Sequence, residues 1–131
     1  MHSTPDIISI QSPTGVEETV SRLKKLLQDQ NITIYDHIDQ QSEATKSGLS
    51  LGPLQLLIFG NPKGGIPLMN ANPLCGLDLP LKVLVWEDDE KKTWVSYNKF
   101  DYLQNRFDLP SNLILNLSKA ENIILKAVAP L

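Results

Sequence analysis

The sequence predicts an α+β domain in which a mainly antiparallel sheet carries helices packed mainly on one face. Apolar residues recur at helical spacing in two long segments, at positions 16–27 and 113–127. Short β-branched and apolar runs of strand length lie between these segments. Two of the runs are joined by a short, wholly charged link, which favours antiparallel pairing. Strands and helices in this order are typical of a layered α+β fold.

Length and composition indicate one globular domain that spans residues 1–131. Hydrophobic residues make up 41% of the chain and charged residues 21%, which argues against disorder. The net charge of −3 comes without a basic run, so we expect no nucleic-acid partner. The N-terminal segment MHSTPDIISI lacks the signal-peptide pattern, and no apolar run approaches the roughly 18 residues of a membrane span. We therefore expect a cytoplasmic protein without a membrane partner.

Cysteine and histidine are scarce in this chain. Cys75 is the single cysteine, so it has no internal disulfide partner. His2 and His37 are the only histidines, which leaves too few soft ligands for a zinc site. We expect no metal, no cofactor and a reducing compartment, with Cys75 as a buried and inert thiol.

The chain begins with a predicted strand, helix and strand. The run IISIQ at residues 7–11 is the first strand. Thr14 and Glu17 have the spacing of a capping box, so we place the N-cap of the first helix at Thr14 and its C-terminal end near Asn31. Residues 32–38 then alternate in polarity, which predicts a strand with one buried face. On this pattern three isoleucines share one face and Thr33, Tyr35 and His37 share the other.

The remaining elements follow from caps and apolar runs. Asp39 caps a short helix that runs through Lys46 and is closed by Gly48. The run LQLLIF at residues 54–59 predicts a central strand covered on both faces. Residues 81–86 and 93–98 form a predicted hairpin around the charged link 87–92.

Two further helices complete the predicted domain. Asn98 caps a short helix whose inward side chains are Phe100, Leu103 and Phe107. Ser111 caps one continuous last helix with a broad buried stripe.

The connection between the strands at 54–59 and 81–86 is rich in glycine and proline. It is longer than compact domains usually carry without a functional reason. Glycines allow backbone N–H groups to turn toward a ligand, a helix start adds its positive end, and Lys63 adds a charge. We predict that a small molecule or anion binds here, with these candidate ligand-binding residues: Gly60, Asn61, Lys63, Gly64, Gly65, Asn70 and Asp78. The alternative interpretation is ordinary turn chemistry, because Asn-Pro and Gly-Gly also reverse a chain.

Other side chains admit both a chemical and a structural interpretation. Asp78 lies among apolar neighbours, so it is either a desolvated general acid or base or a structural cap. His37 and Tyr35 either line a cleft or are simply solvated. The acidic link after Trp86 lacks the ligand order of a calcium loop.

Three segments resemble a known prokaryotic family. GNPKGGIPLM at 60–69, NPLCGLDLPLKVLVWED at 72–88 and WVSYN at 94–98 are similar to domain of unknown function 302. The similarity runs from about Ile7 to Phe107. It implies a curved antiparallel sheet with two main helices in the β-α-β4-α order of TATA-binding-protein-like domains, and it implies a homodimer. It implies no reaction.

The chain departs from the family pattern at four polar positions. These positions hold Gln40, Gly52, Leu54 and Ile66. Any chemistry that the family's polar side chains carry there is therefore reduced in this chain. We predict a non-catalytic or weakly catalytic domain that binds a small molecule or anion. The alternatives are a protein-interaction or structural dimer module, and an enzyme of unknown reaction.

Overall fold

The computed structural model describes residues 4–130 and contains one five-stranded antiparallel sheet. His2 and the first three residues of the N-terminal segment lie outside the described residues. The spatial order of the strands is β1-β5-β4-β3-β2. Their bounds are β1 Ile7–Gln11, β2 Thr33–Asp39, β3 Leu54–Gly60, β4 Leu81–Glu87 and β5 Thr93–Asn98.

The helices lie between and after the strands. Their bounds are α1 Val16–Asp29, α2 Gln40–Lys46, α3 Pro62–Ala71, α4 Phe100–Phe107, α5 Ser111–Ile114 and α6 Ser118–Ala127. Two 3-10 turns, Pro73–Leu77 and Leu115–Leu117, follow α3 and α5. No helix within residues 4–130 has the length and hydrophobicity needed to cross a bilayer.

Helices α1 and α6 cover one face of the sheet. Helix α1 connects β1 at one edge to β2 at the other, so it crosses the whole sheet. Helix α6 packs beside it, and both contribute apolar stripes to the main core. The fully buried side chains of this core include Leu23, Leu27, Leu57, Phe59, Val83, Val85, Val95 and Ala127. The predicted α+β class with two main helices on one face is confirmed.

The opposite face of the sheet is only half-buried. Along β3, Gln55, Leu57 and Phe59 are buried, whereas Leu54, Leu56 and Ile58 are intermediate. The prediction that β3 is covered on both faces was wrong. A nearly continuous apolar run predicts a strand that is largely shielded from water, but it does not show whether one or both faces of the strand are covered by helices.

A β-bulge corrects the face assignment along β2. The register with β3 shifts between Ile34 and Asp36. Ile34 pairs with Phe59, but beyond the bulge His37 pairs with Leu57, so both Ile34 and His37 lie on the helix-covered side. Because one inserted residue reverses the alternation, the predicted shared face of Tyr35 and His37 does not exist.

Several predicted caps are displaced by a residue. The N-cap of α1 is Gly15, and Thr14 instead bonds the buried Thr19 hydroxyl at 2.9 Å. The caps predicted at Asn98 and Ser111 lie at Lys99 and Pro110, neither of which makes a side-chain capping bond. Asp39 caps α2 as predicted, accepting from the Ser42 N–H at 3.0 Å.

The Gly- and Pro-rich connection is helical rather than an extended loop. It forms α3 and the first 3-10 turn, which carry Leu68 and Cys75 into a second apolar cluster. This cluster also contains Leu103 and Phe107 of α4 and Leu117 of the second 3-10 turn. The last helix is broken at Leu115–Leu117, where the second turn packs against α3.

Candidate functional site

A pocket opens where β2 begins and β3 ends, next to the starts of α3 and α6. Ile32 and Tyr35 line it from the β2 side, and Phe59 and Gly60 from the end of β3. Its other walls come from the start of α3, the residues before β4, and the segment that leads into α6. These walls are Asn61, Pro62, Gly64, Gly65, Met69, Leu79, Pro80, Leu81, Asn116, Leu117, Lys119 and Ala120. Elements distant in sequence therefore meet at one apolar site.

The pocket combines an apolar body with a few polar side chains. Its volume is about 160 Å³. Tyr35, Asn116 and Lys119 are exposed residues of the lining. None of these three side chains has a hydrogen bond or ion pair within residues 4–130. They are the polar groups that remain available to a ligand.

The backbone donors at the start of α3 are already engaged. The Lys63 N–H donates to the Asn61 side-chain oxygen at 3.0 Å. The Gly64 and Gly65 N–H groups donate to the Asn61 carbonyl at 2.9 and 3.0 Å. Pro62 has no N–H to offer. The first turn of this helix therefore closes on its own cap, as short helices commonly do.

Two adjacent glycines in α3 play different geometric roles. A Cβ on Gly64 would lie 3.1 Å from the backbone oxygen of Asn116. Glycine at this position therefore allows α3 to approach the segment before α6. A Cβ on Gly65 would meet only the Met69 methyl group, at 3.9 Å. Gly65 thus leaves space that forms part of the pocket.

The structure places the sequence-predicted candidates in three locations. Gly60, Asn61, Gly64 and Gly65 line the pocket. Lys63 and Asn70 are exposed residues of α3 outside the lining. Asp78 lies outside the lining, directly after the 3-10 turn Pro73–Leu77. The predicted binding role of the seven residues stays a prediction.

Asp78 is paired with an arginine of α4. Its Oδ2 accepts from Arg106 Nη1 at 2.9 Å, and the same nitrogen lies 3.0 Å from the Tyr102 hydroxyl. The negative charge of Asp78 raises the pKa of Arg106. The guanidinium also lies over the Phe107 ring, 5.1 Å from its centroid. This arrangement favours the structural interpretation of Asp78, since the pair ties the 3-10 turn to α4.

His37 belongs to a chain of polar side chains at the other end of β2 and β3. Its Nε2–H donates to Gln55 Oε1 at 2.6 Å, since an amide oxygen can only accept. Gln55 Nε2 in turn donates to Glu17 at 2.8 Å. Nδ1 of this tautomer accepts from Lys24 Nζ at 3.3 Å. The four groups satisfy one another, and Gln55 is only 4% exposed.

Cys75 is completely buried in the second apolar cluster. Burial raises the pKa of its thiol, and the nearby charge of Asp78 acts in the same direction. A thiol in this environment is a poor nucleophile. Within the described ranges, no three His, Cys, Asp or Glu side chains are grouped as metal ligands would be.

Two polar residues of the lining, Asn116 and Lys119, are not among the candidates predicted from the sequence. Asn116 and Lys119 are polar positions in a segment whose apolar stripe predicts only a buried helix. They lie more than fifty residues after Gly60 and carry no motif. Ala120, a small residue of the same segment, also lines the pocket. Its size leaves room beside the pocket.

Comparisons with known proteins agree on the fold. The sequence model of the family described as Domain of unknown function DUF302 matches residues 8–129. The crystal structure of an uncharacterized conserved DUF302 protein from Bacillus stearothermophilus superposes with a TM-score of 0.78. The match covers 95% of this chain and 97% of that one, at 21% sequence identity. At this identity the likeness establishes the fold alone.

The curated relatives are longer proteins that are named as fluoride channels. A Fluoride-specific ion channel FluC 1 from Brucella suis biovar 1 (strain 1330) is 34% identical over 103 residues, which are 79% of this chain and 41% of that protein. The Fluoride-specific ion channel FluC 2 of Brucella melitensis biotype 1 (strain ATCC 23456 / CCUG 17765 / NCTC 10094 / 16M) is also 34% identical over 103 residues, or 38% of its length. The chain thus spans about two fifths of the curated relatives that it matches.

Proposed function

The chain belongs to the DUF302 family, and we propose that it is a small-molecule-binding domain whose ligand enters the pocket between β2, β3, α3 and α6. The observation that carries this proposal is an apolar cavity of about 160 Å³ lined by three polar side chains that have no hydrogen bond or ion pair within residues 4–130. Binding sites for small molecules usually combine an apolar lining with a few convergent polar groups. An apolar cavity of roughly 150 Å³ can hold a benzene ring.

The polar part of the ligand contacts side chains rather than a backbone cradle. The N–H groups of residues 63–65 are engaged in the cap of α3, so they do not present a phosphate loop. The available donors are the side chains of Tyr35, Asn116 and Lys119. This supports a ligand with a large apolar part and one polar end.

The test is a thermal-shift panel of small aromatic and aliphatic compounds on the wild-type protein and a variant with a filled pocket. Gly65→Leu places a side chain at the pocket wall, where only Met69 lies within 4 Å of the added Cβ. We expect compounds that raise the Tm of the wild type to leave the variant unshifted, because a ligand stabilises only the form that binds it.

Gly52→Leu is the matched control for this substitution. Gly52 is exposed, lies outside the lining and has no atom within 4 Å of an added Cβ. Ligand shifts should survive in this variant. If no compound raises the wild-type Tm, or if Gly65→Leu retains every shift, the proposed pocket function is wrong.

Fluoride is included among the probes because of the names of the Brucella proteins. The matched segment is only about two fifths of each Brucella protein. The channel name describes the whole protein and is not assigned to this segment. Fluoride is a small and strongly hydrated anion, and transfer of a bare charge into an apolar lining is costly. We therefore expect no fluoride-specific rise in Tm beyond that caused by chloride at the same concentration.

A second candidate function is self-association through the half-buried face of the sheet. Leu54, Leu56, Ile58, Leu84, Trp86 and Trp94 are apolar residues of intermediate exposure on this face. Trp86 and Trp94 lie directly opposite each other on β4 and β5. A contiguous apolar face of this kind is typical of an interface, and a second copy of the chain is the occupant we propose.

Sedimentation at rising protein concentration tests the dimer. We expect a dimer that Leu56→Glu converts to a monomer, because a charge at the centre of an apolar interface is desolvated. Leu125→Glu is the control, since Leu125 is 45% exposed on α6 and lies away from this face. A wild-type protein that stays monomeric at about 100 μM would exclude a stable dimer of micromolar affinity.

A further inference from the structure

We propose that the ligand of the pocket is a small monocarboxylate, with its apolar body inside and its carboxylate on Lys119 at the rim. This proposal rests on the proposed pocket function and adds the chemical class of the ligand. Three properties of the site lead to it: the charge at the rim, the neighbouring donors and the size of the cavity.

Lys119 is the only charged side chain among the sixteen residues that line the pocket. It has no ion pair within the described part of the chain, whereas Lys46, Lys91, Lys92 and Arg106 each lie within 4 Å of a carboxylate. None of these sixteen residues is acidic. The local charge is therefore positive in a chain whose net charge is −3. An anionic ligand end is the complement of this arrangement.

Neighbouring side chains can bond the second oxygen of a carboxylate. Asn116 precedes Lys119 by three residues, so the two share one side of the helical segment that leads into α6. The Asn116 amide and the Tyr35 hydroxyl both donate hydrogen bonds, and both lack a partner within residues 4–130. Two donors beside one ammonium group match a carboxylate with one negative charge.

The cavity size and the occupied backbone donors separate this class from phosphates. A volume of about 160 Å³ corresponds to a benzene-sized ring or a short alkyl chain. A phosphate group carries nearly two charges and is usually held by several backbone N–H groups or arginines. The N–H groups of residues 63–65 are engaged at the cap, and none of the sixteen described lining residues is an arginine.

Calorimetric titration of isosteric pairs tests the proposal. Benzoate and hexanoate are compared with benzamide and hexanamide, which have the same bodies without the charge, and inorganic phosphate is added as a further probe. We expect the acids to bind roughly ten-fold more tightly than the amides. This advantage should disappear in Lys119→Met and should decrease as the salt concentration rises.

Lys126→Met is the control, because Lys126 is an exposed residue of the same helix and lies outside the lining. Lys63→Met tests whether the lysine predicted from the sequence, which lies outside the lining, contributes to acid binding. We expect this variant to keep the preference for acids over amides. Near-UV circular dichroism and Tm show whether each variant keeps its fold.

The outcomes separate the ligand class from the pocket function. If acids and amides bind equally, or phosphate binds more tightly than either, the carboxylate class is overturned while binding in the pocket stands. If Lys119→Met and Lys126→Met reduce acid binding equally, the role of Lys119 is overturned. If neither acids nor amides bind the wild type, both this inference and the proposed function are wrong.

Discussion

The two ends of the β2–β3 strand pair differ in whether their polar side chains are hydrogen-bonded to other parts of the protein. At the Gln55 end, Glu17, Gln55, His37 and Lys24 form a chain of contacts with distances of 2.8, 2.6 and 3.3 Å. At the Gly60 end, the side chains of Tyr35, Asn116 and Lys119 have no hydrogen bond or ion pair within residues 4–130. Buried polar groups in native proteins are normally satisfied, so the first end is architectural. Polar groups left open beside an apolar cavity indicate a site that binds something else.

The largest expected loss of stability comes from removing the hydrogen bonds at the Gln55 end. Gln55→Ala removes a buried amide that links two elements and leaves Glu17 and His37 without their shared partner. We expect a loss of about 2 kcal/mol in the free energy of unfolding, measured by urea denaturation. The control is Gln28→Ala, an exposed position on α1. Equal losses in the two variants would contradict the architectural role.

The next effect tests the close approach of α3 to the segment before α6. Gly64→Ala places a Cβ 3.1 Å from the Asn116 backbone oxygen. Overpacking costs about 1–3 kcal/mol and helix propensity returns about 0.5–1, so we expect a net loss of about 1 kcal/mol. Urea denaturation measures it. A more stable variant would mean that the segment before α6 shifts freely, and the wall of the pocket would then be adjustable.

A third test concerns the hydrogen-bonded pair of Tyr97 on β5 and Glu121 on α6. The buried Tyr97 hydroxyl donates to Glu121 at 2.7 Å. Burial first, and then the bond to Glu121 and its charge, raise the pKa of Tyr97 well above its ordinary value. The unfolded tyrosine ionises near pH 10 while the folded one stays protonated, so stability falls as the pH rises above about 10.

We expect this group to remove about 1 kcal/mol of unfolding free energy between pH 9 and pH 11. Tyr97→Phe supplies the comparison, because every other titrating group is unchanged in it. The pH dependence of the wild type should exceed that of Tyr97→Phe by this amount. Parallel stability profiles for the two proteins would show that the hydroxyl is solvated rather than satisfied.

Gly65→Ala should change the free energy of unfolding less than Gly64→Ala does, and in the opposite direction. At Gly65 an added Cβ lies 3.9 Å from the Met69 methyl group, an ordinary contact. Gly65→Ala should therefore stabilise α3 by about 0.5–1 kcal/mol through its backbone. Thermal unfolding measures this gain. A loss of stability as large as that of Gly64→Ala would show that the space at Gly65 is not open.

The smallest expected effect lies at the rim of the pocket. Lys119→Met and Asn116→Ala remove side chains that bond no other described residue, so the unfolding free energy should change by less than about 0.5 kcal/mol. Their effect should be on ligand affinity instead. A large loss of stability in the absence of ligand would show that these side chains stabilise the fold. The proposed difference between the two ends of the strand pair would then be wrong.

Much of the fold could be predicted from the sequence because its signals are local. The stripe of α1 and the hairpin of β4 and β5 follow from periodicity and from one charged link. The Asp39 cap follows from the chemistry of a single side chain. The bulge at Ile34–Asp36 could not be predicted, because register depends on the partner strand. The break at Leu115–Leu117 likewise depends on packing against α3.

The site was predicted only in part. Gly60, Asn61, Gly64 and Gly65 come from one punctuated stretch and line the pocket. Lys63 and Asn70 belong to the same stretch but lie outside the lining, because a helix separates neighbouring residues by about 100°. Lys119 is in the lining although nothing in its local sequence marks it.

The sequence by itself determined the α+β class, the family pattern and the stretch beside which a pocket forms. These depend on periodicity, caps and glycine content, which act within a few residues of the chain. The tertiary structure decided which side of α3 faces the cavity, which polar groups remain open and which charge stands at the rim. Those features depend on contacts between α3, β3 and α6, whose residues are brought together only by the shared burial of apolar surface.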